Sequence, residues 1–271
     1  MRLFRSGITG YCLAVSGFLC ALAPASAHEL TLGAGFEHWL YREQGDNGQE
    51  LNREQGWLPG VAVQTRWDIL PAQQLLLEAY HLDGPLPYRG YTQAGIPHRT
   101  VTDETVRRYR GGWRWLQQSV SVGFFVQWQE WQRRIRAADA VRGLDERYRW
   151  HGPQLEIGWH NDWPYTAALR WGALVRASWW PEGSLDIDLR DSGYGEPRLI
   201  LSDGYEAELV LHLQWSLTPA WGFNLQHHQG YRWSEASDTR WFSNGSRVVG
   251  LNEPANSTRW QSVWAGVVWH F

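Results

Sequence analysis

Two short runs place a histidine and carboxylates at spacings that could hold and activate a water: His81-Leu82-Asp83 and Asp186-Ile187-Asp188. Residues two apart on a strand share a face, so each pair could present its groups together. The spacing is common in polar loops, and solvated loop charge is the simpler account of both. Phe242-Ser243-Asn244-Gly245-Ser246 carries a serine, but the residue two before Ser243 is Trp241, where a base would have to stand. What remains is Asn-Gly, a turn signal. His227 and His228 are adjacent and would point to opposite faces of a strand, so they cannot jointly bind a metal. No metal or cofactor is expected.

A larger set of charges recurs every second residue inside apolar stretches. Arg66 and Asp68 follow Gln64, Glu78 precedes Tyr80, and Arg108, Arg110 and Arg114 share one phase. Arg170, Arg176, Glu206, Glu208, His212, His228 and Arg232 continue the pattern, with Asn224 and Gln226 between them. Charges of both signs on the covered face of a strand must be paired or hydrated, because an isolated buried ion costs several kcal/mol. Such a set predicts either a plug of arginine–carboxylate pairs or a narrow hydrated channel, and arginine suits both.

The elements that would carry these residues are strands. Residues 1–27 open with Arg2 and Arg5, run through an apolar stretch from Ile8 to Leu22 and end in Ala25-Ser26-Ala27, the pattern of a cleaved secretory signal. Both cysteines, Cys12 and Cys20, fall in it, so residues 28–271 have no thiol. Loss of Arg2 and Arg5 leaves 23 arginines against the 28 acidic residues, a formal charge of −5 that suggests no nucleic-acid partner. All 20 tryptophans lie beyond residue 27, and every basic residue is arginine. No later stretch holds the 18 or so apolar residues of a helical span, so a closed barrel is the remaining way to cross a bilayer.

Period-two alternation marks ten segments, near 29–42, 57–70, 73–83, 104–116, 119–133, 147–160, 165–180, 204–218, 221–234 and 257–271. Short connections at 70–72, 116–118, 161–164 and 218–220 alternate with long polar ones at 43–56, 84–103, 134–146, 181–203 and 235–256. In membrane barrels short turns face the periplasm and long loops the outside, which places both termini on the periplasmic side. Trp39, Trp57, Trp113, Trp163, Trp179, Trp180, Trp221 and Trp269 stand near strand ends, where an interfacial girdle belongs.

The last strand, Trp260 to Phe271, puts Val263, Ala265, Val267 and Trp269 on one face and Ser262, Gly266 and His270 on the other, and stops on an aromatic. It resembles the C-terminal strand of bacterial outer-membrane β-barrels. That resemblance implies location in a Gram-negative outer membrane and recognition of Phe271, Trp269 and Val267 by the barrel-assembly machinery. Outer-membrane lipid and lipopolysaccharide would surround it. Ten strands and five outer loops are coarsely similar to the omptins, outer-membrane proteases with an acidic pair on one side of the mouth and an Asp/His pair on the other. In this chain the two pairs stand in exchanged loops, and His81 falls on the outward phase.

The expectation is therefore an all-β, single-domain, antiparallel up-and-down transmembrane barrel over residues 28–271, of ten strands, with eight or twelve as alternatives, and monomeric. Its function is that of a small porin-like channel or a barrel plugged by ion pairs. A surface hydrolase using His81, Asp83, Asp186 and Asp188, or a loop-based binding protein, are the alternatives.

Overall fold

The computed structural model describes residues 28–45, 47–91, 95–138, 141–162 and 168–271. Residues 1–27, expected to be a secretory signal, and Trp163 lie outside these. In chain order the strands are β1 (His28–Gln44), β2 (Glu50–Leu70), β3 (Gln73–Tyr91), β4 (Pro97–Gln117), β5 (Val120–Ile135), β6 (Leu144–Asp162) and β7 (Leu169–Trp180). They continue with β8 (Glu182–Asp188), β9 (Arg198–Leu201), β10 (Gly204–Ser216), β11 (Trp221–Ser234), β12 (Arg240–Ser243), β13 (Val248–Leu251) and β14 (Ala255–His270).

Ten of these close a ring of antiparallel neighbours, β1 through β7, then β10, β11 and β14, which returns to β1. The chain ends meet at the seam: His28 N–H donates to the Phe271 carbonyl and Phe271 N–H to that of His28, each at 3.0 Å. The pairs β8–β9 and β12–β13 stand outside the ring, β8 lying along the outer half of β6. At the short end the connections are tight enough to force left-handed backbone on ordinary residues, Ala72 at φ 65° and Gln118 at φ 53°.

The long connections are shorter than the sequence suggests, because the strands continue into them. β2, β3 and β4 run 21, 19 and 21 residues, roughly twice the 9–11 that a tilted bilayer crossing takes. The polarity of the wall changes along this length. Over the lower half Phe36, Val61, Phe124, Val126, Ile157 and Val175 face outward and exposed, the apolar belt of a spanning barrel. Trp115, Trp159, Trp215, Trp221 and Trp269 fringe it below, and Trp57, Trp179, Tyr205 and Trp233 above.

Beyond the upper fringe the faces exchange roles. The outer wall carries a ladder of ion pairs that crosses five strands, β4, β5, β6, β8 and β9. Arg107 meets Glu130 at 2.6 Å, Arg149 joins Glu130 to Asp186 at 3.3 and 2.8 Å, and Arg198 reaches Asp186 at 2.6 Å. Inside stands an apolar core of Trp39, Tyr41, Leu58, Leu82, Trp131 and Trp150, joined by Leu185, Leu199 and Leu251 from the accessory pairs. The Trp131, Tyr148 and Trp150 rings stack with centroids 4.8 and 5.3 Å apart in sequence. Trp39 and Trp180 belong to this interior, each 1% exposed, which corrects their assignment to the girdle.

Candidate functional site

Every second residue of the lower wall points inward, and the central members of the inward set form one connected network. At its centre the Arg176 guanidinium reaches Glu156 through Nε at 2.9 Å, Glu208 through Nη1 at 2.8 Å and Glu78 through Nη2 at 3.5 Å. Arg110 bridges Glu78 and Glu156 at 2.8 and 3.0 Å, and its guanidinium lies 4.1 Å over the Phe125 ring. Arg114 closes on the other oxygen of Glu156 at 2.6 Å. His228 Nδ1 stands 3.1 Å from Glu208. Three guanidinium groups thus meet three carboxylates, with little solvent exposure on any of them.

Above this layer Arg108 grips Glu37 with both Nη atoms, at 2.9 and 2.6 Å, between the Trp39 and Trp260 rings. Arg232, 2% exposed, lies 4.5 Å over Trp150, and Glu206 accepts a long hydrogen bond of 3.4 Å from Ser178. Below it Arg66 pairs with Glu29, while Gln64 donates to Tyr80 at 2.5 Å and exchanges bonds with Gln226. Asp68 accepts from Gln74 at 2.9 Å. Arg170 is exposed at the short-turn end, where with Asp68, His160 and His212 it lines an opening of about 620 Å³. Between that opening and the central layer lies a cavity of about 100 Å³, and within the layer one of about 40 Å³. These are spaces for a few waters each.

The inward set read from sequence is thus placed, but its key partners were missed. Glu156, Glu37 and Glu29 each alternate with outward apolar neighbours, so extending the phase of β6 and β1 would have found them. Arg133, at the centre of a second cluster in the upper interior, lay at the edge of a segment taken as loop. It reaches Glu146, Glu54 and Glu43 at 2.7, 2.8 and 3.2 Å.

The hydrolase candidates are on the other side of the wall. His81 and Asp83 face outward, and Asp83 accepts from Thr105 at 2.7 Å. Asp83, Asp186 and Asp188 do line one groove of about 470 Å³, but His81 is not part of it. The Arg198 guanidinium, with Arg149 beside it, holds the Asp186 carboxyl below the usual carboxylate range. Arg190 does the same to Asp188. A carboxylate stabilised in this way makes a poor base near neutral pH. Ser243 to Ser246 form the turn expected of Asn-Gly, with Asn244 accepting from the Ser246 and Arg247 amides at 3.1 and 2.8 Å. Among the described residues no cluster of three or more His, Cys, Asp or Glu converges as metal ligands would.

The C-terminal aromatic is anchored in the lower fringe. Phe271 stacks on Trp269 with centroids 4.6 Å apart and touches the His28 ring.

No protein-family model matches this chain, and neither does any curated protein. Solved structures do. The outer-membrane protease OmpT of Escherichia coli is similar with a TM-score of 0.60 at 11% identity, over 92% of this chain and 98% of that one. The translocator domain of the autotransporter NalP of Neisseria meningitidis gives 0.47 at 12% identity, over 95% and 92%. OprG of Pseudomonas aeruginosa gives 0.43 at 8% identity, over 91% and 96%. The chain has the fold of the bacterial outer-membrane β-barrels, closed by ten strands.

Proposed function

We propose that this chain is an integral outer-membrane protein whose barrel does not conduct and whose work is done by the part beyond the membrane. Residues 1–27 serve as a secretory signal cut near Ala27. The barrel inserts as a monomer among outer-membrane lipid and lipopolysaccharide after the assembly machinery has engaged its C-terminal aromatic. The observation that carries the reading is the filled interior: an ion-paired layer, topped by Arg108–Glu37, topped in turn by a packed aromatic core. A hydrated channel would need a continuous path, and the spaces that touch the central layer from within are cavities of about 40 and 100 Å³.

Refolded residues 28–271 in a planar bilayer should be electrically silent from low to high salt. Steady conductance whose ion preference changes on Arg108→Ala or Arg110→Ala would establish the porin-like alternative instead. The silent barrel leaves the head, with β8–β9 and β12–β13 on it, as the surface that meets partners.

One observation keeps a surface hydrolase as the second reading, namely the shared groove of Asp83, Asp186 and Asp188. In that case the refolded protein cleaves a fluorogenic peptide set, and Asp83→Asn or Asp186→Asn abolishes the cleavage. Equal rates in parent and variants would remove the groove from consideration.

A further inference from the structure

The charge balance of the interior changes with height. In the central layer guanidinium groups and carboxylates are matched in number. In the upper interior Arg133 faces Glu43, Glu54 and Glu146, while Glu104 and Glu253 lie close by, and all five glutamates are at least mostly buried. Four negative charges in excess of the one guanidinium could not persist in so buried a site. With no three of them converging as metal ligands would, protons are the remaining compensation.

The hydrogen bonds show that the cluster needs carboxyl protons. Tyr41 Oη lies 2.8 Å from Glu43 Oε1 and 3.1 Å from Glu253 Oε1. Tyr148 Oη lies 3.2 Å from Glu253 Oε1 and 3.4 Å from Glu146 Oε2. Each phenol has a single proton to give, and Tyr148 already accepts from Arg133 at 3.1 Å. Two phenolic protons cannot serve four carboxylate contacts, so carboxyl groups must bring protons of their own. Glu253 is the one member of the cluster outside the barrel strands. It stands between β13 and β14, 5% exposed, and its backbone is tied to Ser237 by bonds of 2.8 and 2.9 Å.

We propose that protonated Glu253 is a latch that pins residues 235–254 over the aromatic interior of the head, and that loss of its proton releases this segment. The groups facing it are Tyr41 and Glu43 from β1, Arg133 from β5, Glu146 and Tyr148 from β6, and Asn256 from β14, whose amide donates at 3.1 Å. Burial, then the neighbouring Glu43 and Glu146, push the Glu253 carboxyl well up from its usual range. A carboxyl raised on closing stabilises the closed form fully below its free pKa of about 4.3, and that contribution fades as pH climbs through the raised value. The latch holds in acid and lets go in alkali, whatever the head binds.

The test uses a nitroxide on Ser246→Cys, a lone thiol in residues 28–271, in the refolded full barrel. Electron paramagnetic resonance reads the mobile fraction from acid to alkaline pH. The parent should pass from immobile to mobile, and Glu253→Gln should stay immobile throughout, losing the transition. Glu43→Gln, which removes the nearest like charge, should move the midpoint to lower pH and serves if Glu253→Gln does not fold. A parent label that is immobile across the range, an unchanged transition in Glu253→Gln, or an unmoved midpoint in Glu43→Gln would overturn the latch.

Discussion

Replacing Arg176 with leucine should cost the barrel about 3–5 kcal/mol, the range for a buried pair stripped of one partner. The guanidinium is 4% exposed and touches three carboxylates from three strands, Glu78 on β3, Glu156 on β6 and Glu208 on β10. Its loss leaves three negative groups sharing Arg110, Arg114 and His228. Lysine should rescue only in part, since one ammonium cannot imitate a planar fork with Nε, Nη1 and Nη2 each engaged. Urea unfolding in lipid vesicles, followed by tryptophan fluorescence, measures the effect. A midpoint within error of the parent would show that the ion-paired layer fills space without holding the wall together. Arg134, paired with Asp145 at 3.4 Å on the exposed outer face, is the matched control, and its removal should leave the midpoint unchanged.

Valine at Gly112 should prevent closure of the barrel between β4 and β5. A Cβ there would stand 2.1 Å from the Phe124 carbonyl oxygen and 2.6 Å from the Phe125 Cα, both backbone atoms of the paired strand. Neither can withdraw without breaking the ladder, so the cost is expected at or beyond the upper end of about 1–3 kcal/mol usual for overpacking. The Phe125 ring that occupies the space also covers Arg110, so the wall and the ion network fail together. The yield of the heat-modifiable folded band in gel electrophoresis reads this directly. Alanine at the adjacent Gly111 is the informative comparison. Its Cβ would meet the Leu77 Cδ2 at 2.7 Å, the mobile end of a side chain, and folding should survive. Equal yields for both variants would mean that strand spacing at this point is more compliant than its geometry indicates.

How much of this was legible in the sequence depends on which half of the barrel is considered. The lower half follows from period two alone. The phase that puts Phe124 and Val126 outside also puts Arg110 and Glu78 inside, and the seam at Phe271 follows from the strand that ends there. The upper half hides because its faces are exchanged. Pro85, Pro87 and Arg89 read as a polar, proline-broken loop, yet with Asp83 they are the outer face of β3, with Leu82, Leu86 and Tyr88 buried on the other. Both prolines are held there in a regular pairing with β4. Tryptophan is equally at home in a girdle and in a core, and strand phase separates Trp39 and Trp180, which continue the inward series of Glu37 and Arg176, from Trp57 and Trp179, which face outward at the same height. Partner choice was beyond reach for another reason. Arg176 meets Glu156 and Glu208 because β6 and β10 flank β7 in register, but its contact with Glu78 depends on ring closure and side-chain length across the interior. Glu253 gave no signal, since nothing in a polar stretch marks one glutamate for burial.

The reversal of polarity along the wall is also a depth gauge. The band of greasy surface ends where the Arg107–Glu130–Arg149–Asp186 ladder begins, so sliding the barrel inward drags paired ions into hydrocarbon, and sliding it outward strands bare aliphatic surface in water. The molecule is fixed at one height by restoring forces in both directions. With the head outward, as proposed, whatever approaches the cell would meet it at a constant stand-off set by the barrel's own surface.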